Sequence, residues 1–169
     1  MRSPSRPFLA SGCDAEIRDR IKLRDTRPFV VKDQGYVISD KSLFNRTVGD
    51  SGLELVFAAF LAKCNDVTAF AKNYMAVGFK LDYVKANGDI STYTPDFFVR
   101  HSDGEVWIVE TKGREDLNDP GKWERLQQWC ADASALDGGQ QYKPLFVREE
   151  DWEQYKPKSF HDAIAAFSS

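Results

Sequence analysis

The stretch that most constrains this chain runs from Tyr93 to Gly113, YTPDFFVRHSDGEVWIVETKG. Two apolar runs flank His101-Ser102-Asp103-Gly104, a turn signal, so the stretch predicts two strands joined as a hairpin. Strand side chains alternate between faces. Val106, Ile108, Glu110 and Lys112 therefore share one face, and Trp107, Val109 and Thr111 the other. Both faces begin apolar, as expected of a strand covered on both sides. One of them then ends in a carboxylate and an ammonium. Charges continue a buried face only when paired or bound to metal. Asp96, in front of Phe97 and Phe98, is equally out of place.

If the hairpin sets Asp96 beside Glu110, two carboxylates about 4 Å apart repel by roughly 4 kcal/mol at an effective dielectric near 20. A hard divalent cation offsets that. Mg²⁺ takes oxygen ligands and keeps waters for substrate phosphates. The carbonyl of Thr111 would be a third oxygen. Lys112 is no ligand while protonated, but it can hold a water or a phosphate oxygen as a point charge. The bland alternative makes Glu110 and Lys112 a salt bridge at a strand end and Asp96 a solvated residue after a proline.

Pro95-Asp96 followed by Glu110-Thr111-Lys112 resembles the PD-(D/E)xK nuclease motif. The fuller text, Tyr93-x-Pro95-Asp96-Phe97-Phe98-Val99 and then Trp107 to Gly113, resembles the C-terminal endonuclease domain of the restriction subunit of type III restriction enzymes. The likeness covers roughly residues 50–150. It implies a restriction-endonuclease-like αβββαβ core, an α/β fold with a four-stranded mixed sheet between helices. It implies a metal-dependent DNA endonuclease in which Asp96, Glu110 and the Thr111 carbonyl bind Mg²⁺, with Mn²⁺ able to substitute. Lys112 would orient the attacking water. The resemblance also implies an acidic residue on the preceding helix, bound to the metal through water, a place that Glu54 fits. In that family the domain is fused to an ATP-driven helicase motor and works with a methyltransferase subunit. A homodimer would serve double-strand cleavage. Two rivals stand beside this reading: a catalytically silent nuclease-fold module that docks on DNA or on a helicase assembly, and a nuclease acting on RNA.

The rest of the chain sets bounds. At 169 residues it is long enough for one domain with a real core. Its net charge of −3 gives no global attraction to nucleic acid, so DNA contact would need a local basic patch. It has no apolar run long enough for a membrane span, and its basic start lacks the apolar segment of a secretion signal. Three widely spaced cysteines, Cys13, Cys64 and Cys130, form no CxxC pair. They read as small buried residues in a reducing prokaryotic cytosol rather than as a disulfide or zinc framework. No Gly-rich phosphate loop ending in Lys-Ser/Thr is present, so ATP hydrolysis by that route is excluded.

In chain order, residues 1–12 read as a disordered lead, and residues 1–50 as a lead with an accessory hairpin before a nuclease domain at 51–169. Asp14 to Arg24 predicts a short helix with Ile17 and Ile21 on one stripe. Phe29 to Val31 and Tyr36 to Ile38 flank a turn signal and predict a hairpin. Ser51 to Cys64 predicts a helix with Ser51 as N-cap and Glu54 completing a capping box. Glu54 also falls on the core side of its first turn. Lys72-Asn73 resembles a Lys-Asn pair found after this helix in the restriction family; a surface turn is the alternative. Val77 to Lys85 alternates as a half-buried strand, and Asn87-Gly88 turns it into a strand from Ile90 to Arg100. Asp119-Pro120 opens a helix that runs to Gly138. On it, Lys122 and Arg125 with Trp129 could touch a DNA backbone or form a solvated face, and the resemblance makes Gln127 a site candidate, since related nucleases often carry a Gln or Lys on this helix. Gln141 to Arg148 predicts an edge strand, because Lys143 and Pro144 suit one. Asp151 to Tyr155 predicts a helical turn. Ser159 then caps a last helix with Phe160, Ile164 and Phe167 inward. His101 and His161 are given no role in the chemistry, and His101 reads as solvated.

Overall fold

The computed structural model describes residues 15–168. The predicted lead at 1–12, and Cys13 with it, lies outside them. The core is one mixed four-stranded sheet built from β3 (Val67–Lys72), β6 (Phe97–His101), β7 (Val106–Lys112) and β8 (Tyr142–Arg148), in that spatial order. β3, β6 and β7 are antiparallel neighbours, and β8 joins β7 in parallel. Helix α1 (Gly52–Lys63) covers one face together with α3 (Glu149–Tyr155) and α4 (Phe160–Phe167). Helix α2 (Asp119–Leu136) covers the other.

The face under α1 is the larger core. Phe57 and Leu61 meet Phe97, Val99, Val109, Leu145 and Val147, and Trp152, Phe160 and Phe167 close the layer. Each such side chain contributes roughly 1.5–3 kcal/mol by leaving water. The opposite face packs Ile108 against Leu126 and Cys130 of α2, as the apolar residues on both faces of the Tyr93–Gly113 stretch require. Cys64 and Cys130 are buried free thiols. Among the described residues no helix is long and apolar enough to cross a membrane.

The fold class matches the sequence expectation, but the strands that build it are partly different. The expected strand from Val77 to Lys85 starts only at Leu81. Met75–Val77 form a single 3-10 turn, and Gly78 follows at φ 80°, a conformation that breaks a strand. The expected strand from Ile90 to Arg100 is cut in two at Thr94-Pro95-Asp96. Its first half, β5 (Ile90–Tyr93), pairs with β4 (Leu81–Val84) in a separate two-stranded sheet. Proline supplies no N–H to a ladder, so the chain leaves one sheet and enters the other there. The third antiparallel strand of the core is β3, a stretch to which the sequence pattern assigns no strand.

The β4–β5 hairpin lies against α2 through Gly121. A Cβ at this position would collide with the Val84 carbonyl oxygen. Gly121→Ala is therefore expected to destabilise the protein by about 1–3 kcal/mol, the usual cost of overpacking. At about 2–4 °C per kcal/mol for a chain of this size, thermal melting will read it. An unchanged melting temperature would mean that the hairpin is not seated on the helix.

The N-terminal expectations fail in two places. Residues 15–22 form no helix, and Ile17 and Ile21 are both exposed. Two apolar residues in a charged segment bury too little to offset ordering. Phe29 to Val31 do not pair with Tyr36 to Ile38. Instead β1 (Tyr36–Val37) pairs with β2 (Thr47–Val48). Gln34, placed in the predicted turn, donates to the Gly49 carbonyl at 2.7 Å. Phe29 packs edge-on against Phe44 and at a tilt against Tyr74. Lys41 to Leu43 then cover the outer edge of β3, with Phe70 N–H donating to Lys41 and Leu43 N–H to the Phe70 carbonyl, both at 2.9 Å. That closes an edge which would otherwise be open to pairing.

Candidate active site

Three strand ends and one helix start meet at one end of the sheet. β7 delivers Glu110, Thr111 and Lys112 in consecutive positions. The β6–β7 register sets Phe97 opposite Val109, and Asp96 N–H donates to the Val109 carbonyl at 2.9 Å. Asp96 is thus held just past the end of β6, level with Glu110. Its carboxylate accepts from Thr111 N–H and from Thr111 Oγ1, each at 2.7 Å. Strand backbone groups alternate sides, so the Thr111 carbonyl points the same way as that of Val109, beyond the first residue of β6.

Asn73 fixes this corner from β3. Its N–H donates to the Asp96 carbonyl at 2.7 Å, and its Nδ2 donates to the carbonyls of Pro95 at 2.8 Å and Phe79 at 2.9 Å. The Lys72-Asn73 pair is therefore no surface turn: both residues are buried.

The electrostatics are those of a site short of positive charge. Burial pushes the Glu110 carboxyl well above the usual carboxylate range, and the neighbouring Asp96 pushes it further; Lys122 and Lys112 offset only part. Asp96 is raised too, first by burial and then by Glu54, against the Thr111 hydrogen bonds. Glu110 is 8% exposed, and its Oε2 has no hydrogen-bond partner. A buried polar atom without a partner is rare and calls for an explanation. Two hard carboxylates and a carbonyl suit a cation such as Mg²⁺, so the residues fit the group. Among the described residues, no three His, Cys, Asp or Glu side chains are grouped so as to hold a metal. Glu54 is accordingly not brought into one ligand set with Asp96 and Glu110.

Glu54 does what its place in the helix suggests, and more. Ser51 Oγ accepts from Glu54 N–H at 3.2 Å, which caps α1. The returning carboxylate accepts from Asp50 N–H at 3.1 Å and from Ser51 Oγ at 3.4 Å, rather than from the Ser51 backbone N–H of a capping box. It also forms an ion pair with Lys72 Nζ. Lys72 Nζ lies 3.3 Å from Asp50 as well, and 5.6 Å above the Phe97 ring. Burial works against this ammonium, but Glu54, Asp96 and Asp50 outweigh it and raise its pKa.

On the α2 side, Lys112 Nζ lies 3.3 Å from Asp119 Oδ1. Burial again opposes the charge, Asp119 overrides it, and the Lys112 pKa is raised. Asp119 was expected as an N-cap. The structure makes Asn118 the cap position and Asp119 the first helical residue, 6% exposed, its Oδ2 accepting from Asp116 N–H at 2.7 Å. Sequence reasoning missed this carboxylate because an Asp-Pro pair is explained by capping alone. Lys122 was assigned to an outward face and is not on one. Its Nζ is 3.7 Å from Asp119 and 5.8 Å from the Tyr83 ring. Arg125 donates to the Asp82 carbonyl, and Trp129 packs on Phe79 and Tyr142. The β4–β5 hairpin, which the sequence pattern places in the main sheet, covers that face.

Other candidates lie elsewhere. Gln127 is on the exposed side of α2. His101 stands at the far end of β6 from Asp96. It is not solvated as expected: its ring is enclosed between Asp103, 2.8 Å from Nδ1, and Asp66, 3.7 Å from Nε2. His161 is exposed.

A four-stranded mixed sheet flanked by helices, with acidic residues and a lysine at one sheet end, is compatible with a restriction-endonuclease-like fold. Over residues 64–135 the sequence is similar to the family described as TnsA-like endonuclease N terminal. That region is less than half of the chain. It takes in Asp96, Glu110, Lys112 and Asp119 and begins after Glu54. No curated protein and no solved structure matches the chain significantly. The similarity suggests a nuclease-type function and is consistent with the PD-(D/E)xK resemblance. It does not extend to type III restriction enzymes in particular.

Proposed function

We propose that this protein is a Mg²⁺-dependent DNA endonuclease that hydrolyses phosphodiester bonds. The observation that carries the reading is the unpartnered, buried Glu110 Oε2 beside Asp96, two residues from a charged lysine, within the region similar to an endonuclease family. Asp96, Glu110 and the Thr111 carbonyl would hold the ion, which when bound supplies an acidified water and neutralises charge on the phosphate. Thr111, through its N–H and hydroxyl, fixes the Asp96 carboxylate for this task. Lys112 is a cation and not a base, because Asp119 raises its pKa. It orients the attacking water and faces the charge that grows as the water oxygen bonds to phosphorus and the bond to the leaving sugar oxygen breaks. The wording of the Tyr93–Gly113 stretch favours a role like that of the type III cleavage domain. DNA would be the substrate, an ATP-driven translocase and a methyltransferase subunit the partners, and pairing of two chains the route to double-strand cuts.

Supercoiled plasmid tests this directly. Incubation with Mg²⁺ or Mn²⁺ should give nicked or linear product, and chelator should stop it. Cutting that persists in chelator, or preference for an RNA of the same sequence, would defeat the proposal.

A further inference from the structure

The site contains three lysines: the proposed chemistry uses Lys112, and Lys122 pairs with Asp119 beside it. Lys72 closes a strand of otherwise apolar character, is 4% exposed, and pairs with Glu54 and, at 3.3 Å, with Asp50. It sits close to Asp96: Lys72 is the register partner of Phe97, and the next residue, Asn73, binds the Asp96 backbone at 2.7 Å. The Glu54 oxygens are already engaged, Oε2 by Lys72 and by Asp50 N–H, and Oε1 by Ser51 Oγ at 3.4 Å. Carboxylates flanking Asp96 on this side thus have their counter-charge built into the fold. On the other side, Glu110 Oε2 has no hydrogen-bond partner, and Lys122 and Lys112 offset only part of the carboxylate's charge.

From this asymmetry we infer that the Lys72 ammonium is the permanent cation of the Asp50–Glu54 side, so that the chain takes one divalent ion, on the Asp96–Glu110 side, and Glu54 is a positioning residue for Lys72 rather than a metal contact. This rests on the nuclease reading and deepens it. A mobile divalent ion would have to displace a covalently tethered charge that is buried, paired and held by the end of β3. Like charges at short range disfavour sharing the carboxylates. Removing the ammonium would free the Asp50 and Glu54 carboxylates for a second hard cation.

Titration of the metal-free full chain with Mn²⁺, followed by calorimetry and electron paramagnetic resonance, tests the count. The expected result is one ion per chain, with no spin coupling between ions. Glu54→Gln should keep that ion within about threefold in affinity, whereas Glu110→Gln should weaken it by about 100-fold or more, since loss of an outer-shell partner alone costs about 10–100-fold. Lys72→Met should bind a second ion. Because that variant leaves buried carboxylates unpaired, its fold is checked by circular dichroism, and Lys72→Met/Glu54→Gln serves as the companion that should return to one ion. Two ions in the parent chain, or a large loss of affinity in Glu54→Gln, would overturn the inference and leave the nuclease reading intact. A folded Lys72→Met chain that still takes one ion would do the same. No bound ion in the parent would overturn both.

Discussion

Replacing Lys112 by alanine is expected to slow metal-dependent cleavage by about 10²–10³-fold, the scale set by loss of one preorganised group facing developing charge. The metal should still bind with nearly the parent affinity, since the ammonium is not a ligand. The structure gives the reason for this split. Lys112 shares the face of Glu110 at the end of β7, and Asp119, 3.3 Å away on the first turn of α2, keeps it charged and aimed. A lysine acting as general base would need a lowered pKa, and this one is raised, so no acidic limb in the rate should trace to it. Asp96→Ala should also stop cleavage, but by a different route, through loss of the ion. Rates measured at saturating Mg²⁺, beside metal affinities, separate the two. Equal cutting by Lys112→Ala and the parent would remove Lys112 from the site.

Where the sequence was informative, the information was local. The β6–β7 hairpin was legible because both strands carry their apolar pattern within seven residues of a turn, and Gly104 adopts the φ of 94° that the turn demands. Helix α1 was legible from its cap, Ser51, and its stripe. The Asp96–Glu110–Lys112 set followed from charges that had no business on a buried face. What failed depended on contacts far apart in the chain. β3 carries a burial pattern with four buried residues out of six. A short apolar run of that kind does not announce which strand it will pair with. The β4–β5 hairpin was seen as a hairpin and given to the wrong sheet, because only the break at Pro95 separates it from β6. Asp119 and Lys122 looked like a cap and a surface charge, since nothing between Lys112 and Lys122 reveals that Asp119 ends up between the two ammonium groups. Lys72 was noticed for its neighbour Asn73. Its pairing with Glu54 spans a helix and a strand and has no sequence signal of its own.

Glu110→Gln should change stability in opposite directions with and without metal, and this follows from the sign of the pKa shifts. Unfolded, Glu and Asp carboxyls titrate near 4.3 and 3.9. In the folded chain both Glu110 and Asp96 are raised, by burial first and by neighbouring carboxylates next. A raised carboxyl contributes its full stability below the unfolded value and loses it as pH climbs towards the folded one, because the folded state then holds more protons than the unfolded state. The metal-free parent should therefore lose stability as pH rises from about 4 towards neutrality. Glutamine at position 110 cannot ionise, so it removes that group's share of the slope and relieves Asp96. At pH 8 in chelator the variant should be the more stable by about 1–2 kcal/mol, within the range of a buried polar group left unsatisfied. Near pH 4 the two should converge. Mg²⁺ at a hundred times its dissociation constant should then raise the parent by about 2.7 kcal/mol through linkage and leave the variant almost unmoved, reversing their order. Thermal melts at pH 4, 6 and 8, with Mg²⁺ and with chelator, make the comparison. If chelated parent and variant melt together at pH 8, Glu110 carries no uncompensated charge. If Mg²⁺ stabilises both alike, the ion is bound elsewhere. The reversal is what a site selected for metal requires: the destabilisation built into the empty carboxylate pair is the free energy that binding the ion recovers.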